Sequence, residues 1–139
     1  MKNILKIIAP LALVMNFSSF AAVSVIVNDA NTDNLDATTI KRIYLGKIKS
    51  FPSGGKVTVL TLNDDAKGTE EFRKTALKKS NSQYKSYWSK LAFTGKGTPP
   101  KEFANANDVI MAVKADVNAI GFVDSSEVTG DVKVVATFE

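Results

Sequence analysis

"VTVLTLNDDAKGTEEF", residues 57–72, is the stretch on which the fold turns. Val57 to Leu62 is a dense, β-branched apolar run and reads as a strand. Asn63 to Gly68 is polar and turn-prone, and Thr69 to Phe72 opens a helix. A strand, a Gly-Thr turn and a helix start form the arrangement that cradles phosphate. Backbone N–H groups and the positive end of the helix dipole both favour an anion there. The charges run the other way, because Asp64, Asp65, Glu70 and Glu71 crowd the same few residues. The stretch has the shape of an anion site and the charge of something else.

Outward from this motif the chain alternates strands and helices. "VSVIV", Val23 to Val27, predicts a first strand, followed by the turn-prone "NDANTDNLDA". Thr38 or Thr39 can cap a short helix with Ile40, Ile43 and Tyr44 on one face, stopped at Gly46. "FPSGG", residues 51–55, is a turn leading into the strand of the opening motif. Glu70 to Lys79 reads as a helix, acidic at its start and basic at its end, as the dipole prefers. Tyr84, Tyr87, Trp88 and Leu91 are spaced for one face of a third helix starting at Ser82. "FTGKGTPP" breaks it, and Asn107 can cap a fourth helix with Val109, Ile110 and Val113 inward. Ala119 to Val123 and Val132 to Phe138 complete the strands. The pattern predicts an α/β domain, a mixed sheet of about four strands flanked by about four helices.

Residues 1–21 read as a secretory signal peptide rather than as part of the fold. Lys2 and Lys6 precede an apolar run from Ile7 to Phe17, and Ser19 and Ala21 suit cleavage before Ala22. The apolar run is short of the ~20 residues a membrane span needs. Residues 22–139 then form a single domain, expected in the periplasm and not embedded in a membrane. Removing Lys2 and Lys6 lowers the net charge from +4 to about +2, too little to indicate nucleic acid as a partner. The chain has no cysteine and no histidine, which removes Ser-His-Asp and Cys-His sites and the usual zinc ligands. Without the usual general base an enzyme is not indicated, and no cofactor motif is present.

Three smaller signals have ordinary readings. Asp29, Asn31 and Asp33 match the first ligand positions of an EF-hand loop, but Asn34 and Ile40 stand where Gly and Glu are required. The segment reads as a solvated turn and no metal site is expected. The aromatic stripe from Tyr84 to Trp88 reads as core-facing rather than as a binding platform. Lys96, between glycines, reads as a solvated lysine or an anion-facing one.

Composition stops at an exported α/β domain, and particular motifs go further. "IKRIYLGKIKSF", residues 40–51, resembles the "IYLGKIxxW" segment of type II periplasmic binding proteins, specifically the phosphate-binding proteins of ABC transporters. "DVIMAVKADVNAIGFV", residues 108–123, resembles the helix and "AIGYV" strand of that family. Gly68, Thr69 and Phe72 resemble its Ser-Gly-Thr phosphate turn and following Phe. "YWSKLAFTGKGTPP" resembles a segment of short, single-lobe members. The resemblance covers most of residues 23–124.

It implies one lobe of the type II periplasmic-binding-protein fold, the second lobe with a crossover strand. It also implies a protein that binds phosphate or another small anion and works with a transporter. The residues would be Lys67, Gly68 and Thr69, with the backbone N–H groups from Gly68 to Glu70. Two departures weaken the implied site. Asn63 stands where the family turn "RxDGSGT" has its arginine, and Lys67 stands where it has its serine. With no second lobe to exclude water, each remaining contact is screened. The alternative expectation is an interaction or scaffold module of a cell-envelope complex that binds no ligand. A homodimer that rebuilds a cleft would reconcile the two.

Overall fold

The sequence "VSVIVN" is buried on both faces, as expected of a strand in the middle of a sheet rather than at its edge. In the computed structural model, which describes residues 22–139, this strand, β1 (Val23–Asn28), does lie inside. The expected signal peptide, 1–21, lies outside the described residues. The remaining elements are α1 (Ala37–Tyr44), β2 (Thr58–Leu62), α2 (Thr69–Thr75) and α3 (Asn81–Phe93). They are followed by β3 (Lys101–Phe103), α4 (Ala106–Ala115), β4 (Ala119–Asp124), a 3-10 turn (Ser125–Glu127) and β5 (Val132–Phe138).

The five strands form one sheet in the order β3-β2-β4-β1-β5. β2 runs parallel to β3 and β4, whereas β1 runs antiparallel to β4 and β5, so the sheet is mixed. Parallel neighbours need long crossovers, and α2 with α3, then α4, supply them. The four strands expected from the sequence are all present, and β3 is a fifth. Its three residues, "KEF", have neither the length nor the alternation of a strand, and only pairing with Leu60–Leu62 makes them one.

Caps move several helix ends from where the sequence places them. Asp36, rather than Thr38 or Thr39, caps α1 by accepting from the Thr39 N–H at 2.7 Å. α3 starts at Asn81, not Ser82, because Ser80 and Gln83 form a reciprocal capping box. Asn105, not Asn107, caps α4. α2 stops at Thr75, short of the expected Lys79, and Lys78 beyond it takes a left-handed conformation with φ 57°.

The core lies where α1, α2 and α4 meet the sheet. Tyr44, Phe72 and Phe122 form its aromatic centre, with the Phe72 and Phe122 rings stacked at 4.0 Å. The buried Tyr44 hydroxyl donates to the Leu60 carbonyl at 2.9 Å, tying α1 to β2. Tyr87 likewise donates to the Leu45 carbonyl at 2.6 Å, tying α3 to the end of α1. Tyr84 and Trp88 are buried and Tyr87 and Leu91 partly so, which makes the stripe core-facing, as expected. The aspartate-rich segment is held by side-chain turns. Asn31 accepts from the Asp33 N–H, and Asp33 reaches across to the N–H and hydroxyl of Ser53.

Gly121 is the point of closest approach between helix and sheet. A Cβ there would lie 2.6 Å from Val109 Cγ1 and 3.4 Å from Val113 Cγ2, both on buried α4 side chains. Gly121→Ala is expected to push α4 off β4 and cost roughly 1–3 kcal/mol, as overpacking does. A lower urea midpoint at unchanged slope is the outcome to look for, and an unchanged midpoint contradicts it.

Candidate functional site

β2 and β4 run parallel, Thr58 pairing with Ala119 and Val59 with Ile120. The turn after β2 meets the C-terminal end of β4 at Asp124, on the side of the sheet where open α/β folds place ligands. The turn after β2 is built by its own backbone. Ala66 N–H donates to Asn63 O, Thr69 N–H to Ala66 O, and Phe72 N–H to Gly68 O. Gly68 occupies the N-cap with φ 94° and ψ −16°, a left-handed conformation that favours glycine. Its Cα also faces Asp124 closely, because an added Cβ would sit 3.3 Å from the Asp124 backbone nitrogen.

The four residues singled out from the sequence all lie at this turn, in different states. Thr69 is fully buried and donates its hydroxyl to the Asn63 carbonyl at 2.7 Å. Both of its donors are therefore used within the turn. Gly68 has no side-chain cap, and neither its N–H nor those of Glu70 and Glu71 has a protein acceptor among the described residues. These are the open donors of the site. Lys67 is exposed, 3.7 Å from Asp124 Oδ1 and 3.4 Å from the Ser126 hydroxyl. The Glu70 carboxylate points along the helix to Lys74, at 2.8 Å.

Two groups escaped the sequence reading. Asp124, at the end of β4, faces the turn and accepts from both the hydroxyl and the N–H of Ser126, at 2.5 and 3.0 Å. Burial would raise its pKa, but Ser126 and then Lys67 together hold it below the ordinary aspartate range. An anion at the open N–H groups would therefore meet a buried, ionised carboxylate. The second group is Arg73, fully buried although it sits in the acidic-to-basic helix pattern of an exposed residue. Its Nη1 donates to Asp64 at 2.6 Å and to Asn81 at 3.1 Å, and its guanidinium lies 4.0 Å from the centre of the Tyr84 ring. Burial pushes the Tyr84 phenol up to about 12, although Arg73 beside it pulls the other way. Arg73 is turned into the fold and does not replace the arginine absent at Asn63.

Asp64 has a second cation, Lys85, at its other oxygen. Lys85 and then Arg73 hold the Asp64 carboxyl below the ordinary aspartate range, against partial desolvation. Because the folded value is the lower one, this stabilisation is complete above about pH 4 and is lost as the pH falls through the folded pKa. Asp64→Asn is expected to cost roughly 2–3 kcal/mol at pH 7, somewhat less than for a fully enclosed pair because Asp64 keeps solvent contact. The gap between variant and wild type should close in acid, and a gap independent of pH contradicts the assignment. Gly68→Ala is expected to cost roughly 1–2 kcal/mol for the left-handed conformation alone, read by the same denaturant titration.

No family model and no curated protein matches the chain. Solved structures do match. A phosphate ABC transporter substrate-binding protein with bound phosphate from Clostridium perfringens superposes with a TM-score of 0.64 at 20% identity, over 83% of this chain and 45% of that one. PstS from Borrelia burgdorferi gives 0.62 at 10% identity, over 84% of this chain and 47% of that one. An ABC-type phosphate transport receptor from Vibrio cholerae gives 0.56 at 20% identity, over 83% and 46%. The chain spans a little under half the length of each of these proteins. No helix among the described residues is long and apolar enough to cross a membrane. The fold is that of one lobe of a type II periplasmic binding protein, of the kind seen in phosphate transport receptors.

Proposed function

We propose that the chain is an exported, non-catalytic, single-lobe substrate-binding-like module that makes a weak contact with phosphate or another small anion at residues 67–70. The observation that carries this reading is the set of open N–H groups at Gly68, Glu70 and Glu71, held in place by the inward Thr69 hydroxyl. Lys67 is the side-chain partner, since its long contact to Asp124 leaves it exposed and is weak enough to exchange for a ligand. Thr69 contributes by bracing the turn rather than by touching the anion. Removal of residues 1–21 at Ala22 would release the domain into the periplasm.

Weakness follows from the surroundings. Asp124, Asp65 and Glu71 repel an anion, and a helix terminus exposed to water adds only ~0.3–1 kcal/mol. The Lys67–Asp124 contact also supports a second reading, in which the lobe is retained as a docking scaffold for an envelope protein or transporter and binds no anion. A pairing of two copies would enclose the turn and strengthen the first reading.

Titrating inorganic phosphate into the labelled protein while following backbone amide resonances separates these readings. Millimolar saturation with shifts centred on Gly68, Glu70 and Glu71 is expected. Lys67→Ala should weaken it several-fold, and Thr69→Ala should lower stability as well as affinity. Amides that do not move at tens of millimolar phosphate leave the scaffold reading standing.

A further inference from the structure

A cavity lies at the other end of β2 from the Gly68 turn. It has a volume of about 660 Å³, within the ~300–1,000 Å³ typical of small-molecule sites. The hairpin before β2 and the loop between α3 and β3 form its walls. Ile48, Val57, Val59, Trp88 and Leu91 provide an apolar floor, and Pro99 and Pro100 stiffen one side. Four lysines, Lys49, Lys56, Lys96 and Lys101, line it and no carboxylate does. None of the four forms an ion pair among the described residues, although the protein pairs Lys67, Lys74, Lys85 and Lys114 elsewhere.

This arrangement is electrostatically incomplete. Four exposed lysines border one concave surface with no carboxylate among its lining residues, and they share it with an apolar floor. A free inorganic anion would relieve the charge but leave the floor wet. A purely apolar guest would cover the floor but leave the charges unopposed. The species that satisfies both has an apolar body and an anionic head. We propose that this cavity is a binding site for an anionic amphiphile, its alkyl or aryl body on Trp88, Leu91 and Val59 and its head among the lysines. The site is separate from the turn at residues 67–70, and it stands or falls independently of phosphate binding there.

The chain has a single tryptophan, and it lines the cavity, so its emission reports occupancy directly. Dodecyl phosphate, titrated below its micellar concentration, is expected to change Trp88 emission saturably. Dodecyl maltoside, with the same tail and no charge, should bind at least tenfold more weakly, and inorganic phosphate should leave the emission unchanged. The double variant Lys49→Gln/Lys101→Gln, checked for native circular dichroism, should lose about tenfold in affinity for dodecyl phosphate. Raised salt should weaken binding to the wild type. A flat response to dodecyl phosphate overturns the proposal. So does equal binding of the neutral amphiphile, or an undiminished affinity in the lysine variant. Sedimentation with phosphatidylglycerol vesicles distinguishes the source of the head group. Binding to vesicles without any response to the monomeric amphiphile would replace a discrete site with a membrane-facing surface, and would also overturn it.

Discussion

A single guanidinium, that of Arg73, ties three separate segments together. It bonds Asp64 in the turn after β2 and Asn81 at the start of α3, and it stacks on Tyr84 one turn further along. Its Nε and Nη2 are buried without an acceptor, so the ring face and the one carboxylate carry the compensation for a desolvated charge. Such a pair adds little net stability compared with an apolar replacement. What it adds is a link, because one side chain of α2 holds both the turn after β2 and the start of α3. The turn that carries Gly68 and Thr69 is thereby held to α2 through Asp64, in addition to its own backbone bonds.

The elements with strong periodicity were legible from the sequence. β1, β2, β4 and β5 are runs of apolar, β-branched residues, and the inward faces of α1 and α4 follow helical spacing. What escaped was set by tertiary partners. β3 is a strand only because β2 offers it an edge. α2 ends early because Lys78 turns left-handed, which no residue type in "TALKKS" announces. Arg73 sits between Phe72 and Lys74 and reads as an ordinary surface charge; only the placement of Asp64 and Tyr84 reveals that it is inside. Asp124 directly follows the "AIGFV" strand, so its place at the C-terminal end of a parallel strand was a usable signal. The four cavity lysines come from the hairpin before β2 and the loop after α3, and no local pattern joins them.

The two candidate sites occupy opposite ends of β2 and are opposites in electrostatic character. At the C-terminal end, open backbone donors lie close to the buried carboxylate of Asp124. At the N-terminal end, lysine side chains face a larger space with no carboxylate among them. Side chains rather than the fold decide where negative charge is tolerated. The turn after β2 offers backbone donors while the lysine-lined cavity lies elsewhere on the lobe.

β1 pairs on both sides with strands from the far end of the chain. Val23 lies opposite Asp124 in one neighbour and Phe138 in the other. Ser24 and Ser125, 101 positions apart, share a hydrogen bond of 2.7 Å. A chain with this wiring cannot close the centre of its sheet until β4 and β5 are available, and loop-closure entropy makes such distant pairing slow. During synthesis β1 lacks both of its sheet neighbours until β4 and β5 have been made. Closure of the centre of the sheet is the late event of folding, because it needs the strands made long after β1.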